Sequence, residues 1–284
     1  MPTPRQPEAS VRDLETIQRT YLEAQHYRGE VANGLSGIRA KMARSLELLI
    51  DLDSLMHEYL DSDPVDLQRQ IQPDGLTSVF ALLVTTEPPL DLALRVGEVV
   101  HQIRSALDHL ANRLVRAAGH QPTRRTSFPI IIRPPRKAVA IHPGLDPKAL
   151  SVIDQVQPYH RGHEPDHHPL AVLNELWNID KHRNLSLTAT LLANSQIYIS
   201  DAKGGWRVGG QFQPGPLADD GIVGVFRFEG GGPSADAEVE ASGDLFVTIA
   251  DTGPWGTARP VTEILEELHQ YVSVTVVPRL EPFC

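Results

Sequence analysis

Two polar blocks interrupt otherwise apolar helical patterns in this chain: Arg104-Ser105-Ala106-Leu107-Asp108-His109 and Asn178-Ile179-Asp180-Lys181-His182-Arg183. Their residue types suit anion binding, carboxylate pairing and acid–base chemistry near neutral pH. On a helix advancing about 100° per residue, Gly97, His101, Arg104, Asp108 and Asn112 share an arc of roughly 80°, and Arg104 and Asp108 are spaced to pair. His109 lies about 140° from Arg104, nearer the edge of the apolar stripe. In the second block the stripe Pro169, Leu173, Leu176 and Trp177 continues in phase to Asp180 and Asn184. A carboxylate in a buried position costs several kcal/mol unless it is paired and hydrogen-bonded. Asp180 is therefore expected to be buried against a cation from another element, with Arg104 the preferred partner. Asn174, Asn178 and Lys181 line one flank of the same helix, and packing would gather Arg104, Asp108, Asn178, Asp180 and Lys181 into one network. His101, His182 and Arg183 complete the candidate set. Such a network serves equally well as a lock on helix packing or as a binding or catalytic cleft.

The elements that would position these groups can be read from periodicity. Val11, Leu14, Ile17 and Tyr21, then Leu35, Ile38, Met42, Leu49, Leu52, Met56 and Tyr59, predict N-terminal helices over 10–60, interrupted or weakened at Asn33-Gly34 and Gly37. Asp61-Ser62-Asp63-Pro64 is a stop, and the turn chemistry of Pro73-Asp74-Gly75 predicts short strands over 65–86. Pro88-Pro89 opens a helix with the stripe Val96, Val99, Val100, Ile103, Leu107, Leu110 and Leu114, ending at Gly119. A proline-rich basic segment, 121–147, reads as an irregular wrap holding Phe128 and Ile130–Ile132 against the core. A short helix near 147–156 and an amphipathic helix from Leu170 to about Leu185 complete a central helical region, 88–185. Strand-like runs separated by Gly/Pro turns predict a β-meander over 187–258, and a last helix is expected over 260–278. The fold expected is a single α+β domain, 1–284, with a helical-bundle core and an attached antiparallel β-sheet.

Composition narrows the partners. With 26 Lys plus Arg against 36 Asp plus Glu, the formal charge of −10 gives no global attraction to phosphate backbones. The single cysteine, Cys284, offers no disulfide partner within the chain and no cysteine-based zinc site, which fits a reducing compartment. Neither a signal peptide nor an apolar run long enough to span a membrane is present, so the expectation is a cytoplasmic protein without membrane or cofactor.

The spacing Arg104-x4-His109 within a helical bundle resembles the Arg-x4-6-His signature of the HEPN superfamily. That resemblance implies a metal-independent ribonuclease or RNA-binding protein of toxin or defence type, acting as a homodimer on RNA. It further implies that Arg104 steadies phosphate and that His109 does acid–base work on the ribose 2′-hydroxyl. Ser105 departs from the Asn, Asp or His that usually follows the arginine, and the C-terminal strands lie outside that fold. The pairing of Arg-Ser-Ala-Leu-Asp-His with Asn-x-Asp-Lys-His-Arg is also similar to bacterial proteins of unknown function.

Other signals carry less. His163-Glu164-Pro165-Asp166-His167 matches the zinc-hydrolase pattern H-E-x-x-H, but Gly162, Pro165 and Pro169 crowd a segment that would have to be helical. His163 and His167 remain weak metal candidates. The glycine runs lack a following Lys-Ser or Lys-Thr and read as turns. Arg124-Arg125, Arg133 and Arg136-Lys137 form a basic cluster that suits either a solvated loop or a phosphate-lined groove. Three functional classes follow: HEPN-like RNA chemistry, a non-enzymatic interaction or ligand-binding module with a structural polar network, and a zinc-dependent hydrolase.

Overall fold

The computed structural model describes residues 35–135, 141, 144–191, 196–201, 204–209, 215–216, 222–228, 234–242, 245–250, 252 and 259–284. The fold is α+β, with long helices and small antiparallel sheets. Two compact units are distinguished: one of Ser54–Leu92 and Ser186–Val261, the other of Ala93–Leu185 and Thr262–Cys284 with the described part of Asp13–Asp53.

The second unit holds most of the helices. In α1 (Ser36–Asp61) the stripe from Leu35 through Ile38, Met42, Leu49, Leu52 and Met56 to Tyr59 is buried throughout. Val11, Leu14, Ile17 and Tyr21 lie outside the described residues. In α2 (Leu90–Ala117) every member of the expected stripe is buried. Each such side chain contributes roughly 1.5–3 kcal/mol of transfer free energy. The end of α2 is closed by Gly119 at φ +81°, which lets the N–H of His120 reach the carbonyl of Val115. The wrap then places Phe128 in the core at 1% exposure. Asp146 caps α3 (Pro147–Gln155), accepting from the N–H of Lys148. Two single 3₁₀ turns, Pro158–Arg161 and Pro165–His167, lead into α4 (Pro169–His182), whose first turn is capped by Nδ1 of His168 accepting from the Leu170 N–H.

The first unit contains nine short strands in three antiparallel sheets of three strands each, among the described residues. β1 (Val65–Ile71) and β2 (Thr77–Val84) form the hairpin, and β2 also pairs with β7 (Ile222–Arg227). β3 (Leu187–Leu191) lies between β6 (Gly215–Pro216) and β9 (Leu245–Ile249). β4 (Gln196–Asp201) lies between β5 (Gly204–Gly209) and β8 (Glu238–Ser242). A small core of Phe80, Leu82 and Ile199 gathers Val65, Leu67, Phe226, Phe228 and Val239 around it.

Two expectations need correction. A simple meander over 187–258 does not form, because β2–β7, β3–β9 and β4–β8 pair across intervening strands. Local alternation marks a strand but carries no information on its distant partner. The C-terminal helix is also not continuous: α5 (Val261–Gln270) passes through a π-helical segment, Tyr271–Val276, into the single turn α6 (Val277–Leu280). Pro278 cannot donate to the Val274 carbonyl and its ring crowds that position, while β-branched residues crowd the turn before it. The wider π turn accommodates both, with the Val277 N–H reaching back to Val272.

Candidate functional site

The helices that carry the two polar blocks pack together, with Arg104 and Lys181 both near Trp177 and Asp180 against Gly97, but the blocks do not pair as expected. Arg104 is 7% exposed; its Nη2 forms an ion pair with Asp108 Oδ1 at 3.2 Å and donates a hydrogen bond to the Phe128 carbonyl at 3.0 Å. Asp108 Oδ1 in turn accepts from the Phe128 N–H at 2.9 Å. One turn of α2 thus satisfies both backbone polar groups of Phe128 and pins the wrap. The Arg104 guanidinium carbon also sits 5.5 Å from the Trp177 ring centre, and Lys181 Nζ sits 5.1 Å from the same ring. Burial pulls the Arg104 guanidinium below its ordinary value, with Asp108 opposing. Among the described residues, its Nε and Nη1 have no hydrogen-bond partner.

Asp180 does not pair with Arg104. It is half-buried and lies against Gly97, one helical turn before His101. A Cβ built on Gly97 would fall 2.7 Å from Asp180 Cγ and 3.0 Å from Oδ2, and nearer still to Oδ1. The missing side chain is what makes room for the carboxylate. Partial burial raises the Asp180 pKa, and the opposing influence is the exposed His101. The reason for the repartnering is local. Arg104 already has a carboxylate at i+4 on its own helix, and no second element has to be ordered to bring it there.

His109 is exposed, and its Nδ1 lies 3.5 Å from the position a Cβ on Gly37 would occupy. It therefore borders the start of α1, about 140° around α2 from Arg104, and the two do not converge within one protomer. Asn178, His182 and Arg183 are exposed on the outer face of α4. His163 is exposed, and His167 Nδ1 lies 3.8 Å from Glu164 Oε2 in a segment that is a single 3₁₀ turn, not an α-helix. No group of three or more His, Cys, Asp or Glu side chains among the described residues is placed to hold a metal ion. The i,i+4 histidine geometry that a zinc hydrolase needs is absent from that turn.

The outer face of α4 borders a cleft of about 470 Å³. Asn174, Asn178 and His182 recur at i, i+4 and i+8 along it, with Glu175, Ile179 and Arg183 on the adjoining row. Ile132 of the wrap and Asp166 of the second 3₁₀ turn also line it. Its size falls in the range of small-molecule sites, and it joins apolar walls to a few directed polar groups. Glu175, Ile179, Ile132 and Asp166 were not among the expected members; Asn174 and Asn178 were grouped on one flank of the helix, but with Lys181 where the cleft has His182. No helix among the described residues is long and apolar enough to cross a membrane. No protein-family model, curated protein or solved structure matches this chain.

Proposed function

We propose that this protein is a ligand-binding module whose site is the cleft along α4, and that the Arg104–Asp108–Phe128 cluster is architectural. The observation that carries this reading is the row Asn174, Asn178 and His182 facing a cleft of about 470 Å³. Two amides on successive turns offer donors and acceptors to a ligand that the apolar walls would help to desolvate. Arg104, by contrast, spends its reachable donor on the wrap. Thermal unfolding of the full chain against a panel of small polar metabolites tests it. At least one class should raise Tm saturably, and Asn174→Ala/Asn178→Ala should keep the unliganded Tm while losing that rise. Stabilisation that survives the double substitution, or none with any metabolite, rejects the cleft as the site.

A second reading, RNA cleavage of the HEPN type by Arg104 and His109, is favoured by the two unpartnered nitrogens of Arg104 and the exposure of His109. It requires the Phe128 segment to lift and a second copy to bring a histidine to the arginine. Expression of the wild type should then degrade cellular RNA, and His109→Ala should abolish the loss. Intact RNA with the wild type sinks this reading.

A further inference from the structure

Resting on the cleft as a binding site, we infer that its ligand is a short peptide of three to four residues, held at both of its charged termini. The cleft is polarised along α4. Asp166, from the turn before α4, and Glu175 supply its carboxylates, His182 and Arg183 line it at the C-terminal end of the helix, and Asn178 lies between Glu175 and that end, with Asn174 one residue before Glu175. From Glu175 to His182, the last residue of α4, is seven residues, about 10.5 Å along the axis, and Arg183 follows as its extended C-cap. An extended peptide spans about 3.3–3.6 Å per residue, so three to four residues match that separation. The two amides then face peptide N–H and C=O groups, which present the same alternation of donor and acceptor. Ile132 and Ile179 offer apolar surface to the peptide's side chains.

The helix dipole by itself favours basic residues at a C-terminal end. It does not call for amides on two successive turns facing an open cleft, or for a carboxylate, Glu175, two turns before His182 that lines the same space. Nucleic acid fits less well, because Asp166 and Glu175 would repel phosphates and the chain carries a formal charge of −10.

The test is an NMR titration of the full chain at low salt with tetraalanine, its N-acetylated form, its C-terminal amide and the doubly blocked peptide. Tetraalanine should give saturable shifts at the Asn174 and Asn178 side-chain amides, and each blocking group should weaken binding about tenfold. Glu175→Gln should erase the penalty for acetylation while keeping that for amidation, and Arg183→Gln should do the reverse. His182→Gln serves as the second variant at the basic end should Arg183→Gln disturb the helix terminus. Four peptides that bind alike, no saturable shift with any of them, or a preference for a short oligoribonucleotide overturns the inference. If the peptides fail while a metabolite still shifts Asn174 and Asn178, only the peptide inference falls. If nothing shifts them, the cleft reading falls with it.

Discussion

The contact between Gly97 and Asp180 shows how a missing side chain can set the chemistry of a neighbouring one. Gly97 lies inside a 28-residue helix, where glycine costs roughly 1 kcal/mol relative to alanine. Its position on the polar face of α2 was legible in the sequence, but the notch it leaves for a carboxylate from another helix was not. Gly97→Ala should push the Asp180 carboxylate out into solvent. Because burial is what raises the Asp180 pKa, that value should fall back toward the ordinary carboxylate range. Direct NMR titration of the Asp180 carboxyl in both proteins would read this. An unchanged pKa in the variant would show that the notch is not what holds Asp180.

At the level of elements, the described part of the proline-rich wrap is fastened through its backbone, at Phe128 to α2 and at Ile131, whose N–H donates to Gln157 Oε1. Phe128 donates to Asp108 and accepts from Arg104, and its ring fills the core. Asp108→Ala removes the acceptor for the Phe128 N–H and leaves Arg104 buried without its counter-charge. That should cost roughly 2–4 kcal/mol in urea unfolding and speed exchange of the Phe128 amide. Arg104→Met should cost less, since it removes a buried charge, fills similar space and leaves the Asp108–Phe128 bond intact. Equal losses for the two variants would argue against the clamp. The i,i+4 spacing of Arg104 and Asp108 made their pairing readable. The role of Phe128 was not readable, because residues twenty and twenty-four positions away are joined only by the path the wrap takes. Similarly, Asn174 and Asn178 could be placed on one flank of α4, but the opposite wall at Ile132 could not.

At the level of the whole molecule, stability should depend on two histidines held neutral. His269 is 1% exposed, its Nε2 lies 3.1 Å from the Met42 carbonyl, and burial lowers its pKa to about 4. His168, which caps α4 through Nδ1, is also lowered to about 4, first by burial and then by Arg161, with Glu267 opposing. Both folded values lie below the unfolded value of about 6.5, so the unfolded chain takes up protons first as pH falls. Their contribution is complete above about pH 6.5, is lost progressively between about 6.5 and 4, and levels off below that. For His269 the loss is at most about 3 kcal/mol, and for the more exposed His168 it is smaller. Unfolding free energies at pH 7, 5.5 and 4.5 should decline in that order, and His269→Gln should flatten the slope. An equally steep slope in that variant would place the pH dependence elsewhere.

What the sequence determined by itself is everything that depends on neighbours a few residues apart. The helix stripes of α1 and α2, the stop at Asp61–Pro64, the hairpin of β1 and β2, the closure at Gly119, the Arg104–Asp108 pair and the α+β class all follow from periods and caps that the chain carries locally. The tertiary structure decided which distant groups share one space: Phe128 with Arg104 and Asp108, Asp180 with Gly97 and His101, β2 with β7, and Ile132 and Asp166 with the outer face of α4. The physical reason is that periodicity tells which side of an element will be buried, whereas the identity of the partner depends on how the whole chain closes on itself. For that reason Asp180 could be singled out as a carboxylate on a buried stripe before its surroundings were known, and the cleft on the outer face of α4 could not.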